Sequence, residues 1–319
     1  MTGGCGFIGS NFVHYVLNNT EAEVVNLDSL AWPHTIYNHE KFKDNSRYHL
    51  CVGDVADLSV VTRAMKGCDA VVHMAAQSHV DKSIADPHRT VRSNVVGTVN
   101  LLFAAQRLRV PRFVYTSTDE VYGNVVEGSV TEDGLLVPRN PYSATKAAGD
   151  CFVSAWSATY GYRVMTTRAS NNYGPYQSPD KVIPIFITNL LQEKPITIHG
   201  TGENVRNWLH VTDNCRAVFC VLTEGTPGET YNVESDTSLS NLQLSEVIAR
   251  LMKELYSIDG KIVHVVDRPG NDLRYSLDST KIREALGWQP LVEFEQGLRA
   301  TIQWYHTNEQ WWRKVLAEL

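Results

Sequence analysis

Short apolar runs of β type alternate with amphipathic helical stretches through the first half of the chain, and this alternation limits the fold more than any other feature. "AEVVNL" (22–27), "AVVHMAA" (70–76), "RFVYTST" (112–118) and "RVMTTRAS" (163–170) have the length and β-branched content of buried strands. Between them "LSVVTRAMKG", "PHRTVRSNVVGTVNLLFAAQRL" and "PYSATKAAGDCFVSAWSATYG" carry apolar residues at helical spacing. Alternation of this kind predicts an α/β fold, a doubly wound parallel sheet with helices on both faces. After about residue 170 the rhythm breaks into polar loops, "NNYGPYQSPDK", "HGTGENVRN" and "DRPGNDLRY", between shorter elements near 182–193, 241–256 and 293–307. Such a change predicts a first domain over 1–170, joined by a segment from about 205–235, and a smaller one made mainly of 171–319.

Composition narrows the function classes. The net charge is −6, and the 29 basic residues are scattered among 35 acidic ones, so no nucleic-acid partner is expected. No stretch approaches the roughly 18 apolar residues of a membrane span. The six cysteines form no C-x-x-C pair and mostly sit in apolar runs, which predicts neither disulfides nor a metal. With no secretory signal in the opening residues, a cytoplasmic location is expected.

"MTGGCGFIGS" opens the chain. Gly4-Cys5-Gly6-Phe7-Ile8-Gly9 fits G-x-G-x-x-G, and Gly3, Gly6 and Gly9 fit the G-x-x-G-x-x-G variant. Glycines there permit a tight turn and let main chain approach a pyrophosphate, while the helix begun by "SNFVHYVLNN" turns its N-terminal N–H groups toward the charge. Glycine turns also serve packing, so the motif alone is weak. Only Met1 and Thr2 precede it, so the first strand is expected to be truncated, with a few residues of type K-x-L-V upstream. Asp28 ends "VVNLD" at the offset where a carboxylate meets ribose hydroxyls, favouring NAD over NADP in a Rossmann-type site. Ser29, Val55 and Met74 join it as cofactor candidates. Asp54 is a candidate for the adenine edge, though a turn role reads equally well. Ala75 and Ala76 leave room for close approach, and core packing accounts for them as easily.

Tyr142 and Lys146 in "PYSATK" share a helix face, and an ammonium beside a phenol, together with the positive charge of an oxidised nicotinamide, can bring the tyrosine toward the working pH of a general base. The pair arises often by chance. In "YTSTDEVYG" (115–123), Asp119 and Glu120 directly follow a strand at Thr118, where α/β sites lie. A solvated turn is the plain alternative, but in a low dielectric two adjacent acids favour ionising only one, which separates acid from base.

Together with "TGGCGFIGSNF", "AAQSHVDKSI", "NPYSATKA", "SNNYGPYQSPDKVIP", "GTGENVRNWLHVTD", "GETYN" and "DRPGNDLRY", these segments resemble the extended short-chain dehydrogenases/reductases, and among them most closely the dTDP-glucose 4,6-dehydratases. The resemblance implies NAD-dependent conversion of an NDP-glucose to the 4-keto-6-deoxy sugar. Tyr142 would take the 4-hydroxyl proton, with Thr118 and Lys146 in support. Glu120 would take the C5 proton and Asp119 would protonate the departing 6-hydroxyl; hydride removed from C4 would return to C6. By the same resemblance Ser78, Asn171, Lys181, Val182, Thr197, His199, Arg206, Asn241, Asp267, Arg268 and Asn271 fall at the nucleotide-sugar, and Ser78, Ser93 and Asn172 at NAD. A guanidinium such as Arg206 forks onto diphosphate. Cys5, Gln77, Thr197, His199 and "DSLAWPHTIYNHE" depart from the family's pattern and leave dTDP-glucose against UDP-glucose open. Competing readings are an NDP-sugar 4-epimerase or decarboxylase, which need no acid pair, and a truncated NAD-binding protein without turnover. A homodimer through helices 87–109 and 142–160 is expected from the family, using Val95, Val99, Leu102, Phe103, Phe152 and Trp156.

Overall fold

The computed structural model describes residues 1–266 and 272–319. Its strands are β1 (Val24–Asp28), β2 (Tyr48–Val52), β3 (Ala70–His73), β4 (Arg112–Thr118), β5 (Met165–Ala169), β6 (Asn171–Tyr173), β7 (Ile196–His199), β8 (Val205–His210), β9 (Thr230–Val233), β10 (Ser238–Ser240) and β11 (Ile262–Val265). Around the first sheet lie α1 (Phe7–Asn19), α2 (Pro33–His39), α3 (Leu58–Met65), α4 (Val80–Ala85), α5 (Pro87–Val91), α6 (Gly97–Leu108) and α7 (Pro141–Tyr160). The later helices are α8 (Val182–Leu191), α9 (Val211–Glu224), α10 (Asn241–Tyr256), α11 (Thr280–Leu286), α12 (Phe294–Thr307) and α13 (Glu309–Glu318).

The main sheet is parallel, as the alternation predicts. β1 pairs with β2, and β3, β4, β5 and β9 follow one another in the other half. Thr2 joins the halves by parallel bridges to Leu27 and His73. The Thr2 amide donates to the Val72 carbonyl at 3.0 Å, and the Leu27 amide to the Met1 carbonyl at 2.9 Å. The spatial order is therefore β2-β1-Thr2-β3-β4-β5-β9, which reverses direction at Thr2, and the carboxyl edge of such a reversal is where α/β folds bind ligands.

Two sequence expectations change in detail. The run 70–76 leaves the sheet after His73: the Met74 amide completes the bridge to the Thr2 carbonyl, and the Ala75 amide turns instead to the Thr2 hydroxyl, at 3.2 Å each. The helix expected over 87–108 is interrupted by a π turn, Arg92–Val96, between α5 and α6. Asn94 in that turn is buried; its Oδ1 accepts from the Gln77 amide at 2.7 Å, and its amide donates to the Gln77 carbonyl and to Thr145 Oγ1.

Apolar packing fills both faces of the main sheet. Phe12, Val13, Val218 and Tyr231 pack on one, and Leu101, Leu102, Phe113 and Val153 on the other. A separate cluster of Tyr173, Ile183, Phe186, Ile248, Leu298 and Trp312 lies among β6–β8 and the later helices. There β8 is flanked by parallel β6 and antiparallel β10, while β7 pairs with β11. None of the described helices is long and apolar enough to cross a membrane.

Candidate active site

The glycine turn has the geometry of a dinucleotide cradle. Gly3 has φ +71°, and a Cβ there would lie 2.7 Å from the Ala75 Cα and amide nitrogen. Only glycine lets the turn and the strand end after β3 come this close. Gly6 caps α1 without a side-chain hydrogen bond, and no acid occupies the first turn, so the helix N-terminus, with Phe7 and Ile8, suits an anionic group. Asp28 is buried beside it, accepting from the Cys5 and Leu30 amides at 2.9 Å each. Those bonds leave lone pairs for a ribose diol, and burial pushes the carboxyl up. The buried Oδ1 atoms of Asn171 and Asn172 have no partner, which suits amide or hydroxyl donors from a bound molecule. These features fit NAD.

Other predicted positions divide. Asp54 accepts from the Ala56 amide at 2.8 Å and pairs with Arg92 at 3.3 Å, the turn role. Val55 is buried, Ser29 and Ser78 are exposed, and Ser93 lies half-buried in the π turn. Arg206 donates to the Val205 and Asp272 carbonyls at 2.8 and 2.9 Å and sits 4.4 Å over the Tyr275 ring, so these donors meet main chain rather than standing as an open fork. Lys181 caps α8 ahead of Val182, Thr197 and His199 lie on β7, and Asn241 begins α10. The expected contacts at Asp267, Arg268 and Asn271 fall outside the described residues.

At the end of β4, Thr118 caps the 3-10 turn Asp119–Tyr122. Thr118 Oγ1 donates to Asp119 Oδ1 at 3.1 Å. Asp119 is buried with Oδ2 unpartnered; burial and the adjacent Glu120 push its pKa up to about 7. Glu120 is also raised by burial, against an opposing hydrogen bond from Asn140 Nδ2 at 3.0 Å. The pair is thus neither solvated nor a plain turn: α7, carrying Tyr142 and Lys146, packs against it. Burial, Glu120 and Asp119 hold the Tyr142 phenol above its ordinary value, and Lys146 Nζ donates to the Thr116 carbonyl at 2.5 Å. Burial brings Lys146 down to about 8.

Three supporting residues escaped the sequence reading. Asn140 caps α7 through a capping box with Ser143 while binding Glu120, and an Asn before Pro141 is itself a helix-start signal. Ser83 Oγ accepts from the Tyr142 amide at 3.2 Å, and Asn94 ties the loop at Gln77 to α7; neither has a local sequence signature.

A family model described as GDP-mannose 4,6 dehydratase matches residues 1–301. The dTDP-glucose 4,6-dehydratase of Streptomyces niveus is 45% identical over 320 residues, covering 99% of this chain and 94% of that one. The chain belongs to the dTDP-glucose 4,6-dehydratase family. A family member from Neisseria meningitidis is 42% identical, covering 99% of this chain and 95% of its own. The crystal structure of DesIV, a dTDP-glucose 4,6-dehydratase from Streptomyces venezuelae, has NAD and TYD bound; it superposes with a TM-score of 0.94 at 42% identity, covering 98% of each chain.

Proposed function

We propose that the chain is a lyase that removes water from dTDP-glucose, giving the 4-keto-6-deoxy sugar nucleotide with NAD as resident cofactor. The observation that carries this is the Asp119–Glu120 pair at the end of β4 beside α7, Asp119 buried and Glu120 half-buried, with Asp119 still able to hold a proton near pH 7. NAD, when bound, takes hydride from the sugar and gives it back. Tyr142 accepts the proton of the 4-hydroxyl, which Thr118 helps to hold. Lys146 steadies the phenolate by its charge. Glu120, aimed by Asn140, removes the C5 proton, which a 4-ketone makes acidic. Asp119 gives its proton to the 6-hydroxyl, which leaves as water.

Gly3, Gly6, Gly9, Asp28, Met74, Ala75, Ala76, Ser93 and Asn172 hold the cofactor in this reading; Ser78, Asn171, Lys181 and Arg206 hold the nucleotide sugar. The cofactor domain is 1–170 with about 205–235, supported by α9 and β9 joining the first core; the nucleotide-sugar domain is mainly 171–319. A homodimer is supported by Val91, Val96 and Phe103, exposed along α5, the π turn and α6. Leu102, expected on that face, packs in the core instead, while Val95, Val99, Phe152 and Trp156 are half-buried. Six free thiols suit the cytoplasm. The test is incubation with dTDP-glucose and with UDP-glucose, following product mass. Loss of one water from dTDP-glucose is expected; epimerisation without mass change, or no turnover, would overturn the proposal.

A further inference from the structure

The segment "DSLAWPHTIYNHE" departs from the family's pattern, and it makes a contact that the mechanism does not use. β1 and β3 lie on either side of Thr2, the residue that leads into the glycine turn. Trp32 follows β1 at the start of α2, and Lys82 follows β3 on α4. Lys82 Nζ stands 4.0 Å from the centre of the Trp32 ring, and the guanidinium carbon of Arg89, on α5, stands 5.3 Å from it. Trp32 and Lys82 are both half-buried.

The two residues belong to opposite faces of the sheet. α1 and Phe42, just past α2, pack on the face with Val218 and Tyr231, whereas α6 and α7 cover the other. α4 goes with the second face, because Ser83 Oγ accepts from the Tyr142 amide at 3.2 Å. The contact from Trp32 to Lys82 therefore crosses the carboxyl edge beside the glycine turn, where α1 offers its N-terminus to an anionic group. Its supports are fixed on both sides. Asn38 Nδ2 on α2 donates to the Cys5 carbonyl of the turn at 3.1 Å. On the other side Ser83 is fully buried, and His79, which caps α4, stands 3.3 Å from Asp180. The bridge opens by a swing of the flexible lysine stem.

We infer that Trp32 and Lys82 form a clasp that closes over the pyrophosphate of a bound dinucleotide and retains it through the catalytic cycle. This rests on the NAD reading above. Hydride taken from the sugar has to return to the same sugar, so loss of reduced cofactor before that return would end the turnover. Slow release therefore serves this reaction better than it would serve an enzyme that exchanges its cofactor every cycle. An ammonium on an indole face is worth about 2- to 30-fold in a release rate if the contact is lost on the way out.

The test is a chase. Wild type and variants are loaded with isotopically labelled NAD, desalted, and mixed with excess unlabelled NAD, and the label left on the protein is followed with time. Trp32→Ala removes both cation contacts and should lose label about tenfold faster than wild type; Lys82→Met removes one and should lose it about threefold faster. Lys82→Arg, which keeps a cation, should restore slow release. Circular dichroism checks the fold, and the Lys82 variants carry the test if Trp32→Ala fails it. Equal release from wild type and folded Lys82→Met, or release from Lys82→Arg as fast as from Lys82→Met, would overturn the clasp. A wild type that retains NAD but removes no water would overturn the proposed function alone, with the chase still deciding the clasp; one that takes up no NAD would overturn both.

Discussion

Each carboxyl in the proposed mechanism depends on its neighbours, so the sharpest expectations concern single atoms. Asp119→Asn keeps the shape and removes the proton; dehydration should fall about 10²-fold or more, read as product formed per enzyme. Glu120→Gln should suppress exchange of the sugar C5 hydrogen with deuterated solvent, read by mass. The raised Asp119 also ties stability to pH. Below about pH 4 it is protonated folded or unfolded. From there to about 7 the folded chain alone keeps the proton, so stability falls as pH rises through that window and levels off above it. Asp119→Asn should therefore melt higher than wild type at pH 8 while working worse, a gain in Tm that calorimetry would show. Residue types revealed the acids, the tyrosine and the lysine. Sequence could not reveal their protonation, because the burial of Asp119 comes from packing between elements distant in the chain.

Helix α7 is the element on which the site depends, and it is held at several points. Gly149 lets it lie against Tyr115: a Cβ there would meet the ring carbon Cζ at 2.6 Å, while the Tyr115 hydroxyl donates to the Lys146 carbonyl at 3.1 Å. Tyr115 is fully buried and has nowhere to move, so Gly149→Ala should lower Tm and turnover together. One turn beyond Lys146, Asp150 takes a hydrogen bond from Arg168 Nε at 2.8 Å and one from Ser117 Oγ at 2.5 Å, joining α7 to β4 and β5. Arg168→Met would leave that carboxylate buried and unpaired, costing about 3–5 kcal/mol in urea denaturation. The alternating runs foretold α7 and most strands of the main sheet. They could not foretell the π turn, since a local change of helix type arises from the buried bonds of Asn94 with Gln77 and Thr145.

For the whole molecule, the doubly wound order was legible because each early strand is a short β-branched run followed by a helix. The later part was less so: its strands are three to six residues long and pair across large sequence distances, as β11 does with β7. If the exposed row Val91, Val96 and Phe103 pairs two chains, Phe103→Asp with Val96→Glu should give monomers in sedimentation, with the acid pair untouched. The π turn gives that row a further meaning. A π turn amounts to one residue added to an α-helix, and each residue advances the helix by roughly 100°. The chain thus carries two phases along one rod: Val91 and Val96 look outward while Asn94, between them, looks inward. Substitutions there would alter contacts one at a time, but a change of a single residue in length would rotate one set against the other, so residue count is the property this segment has least freedom to vary.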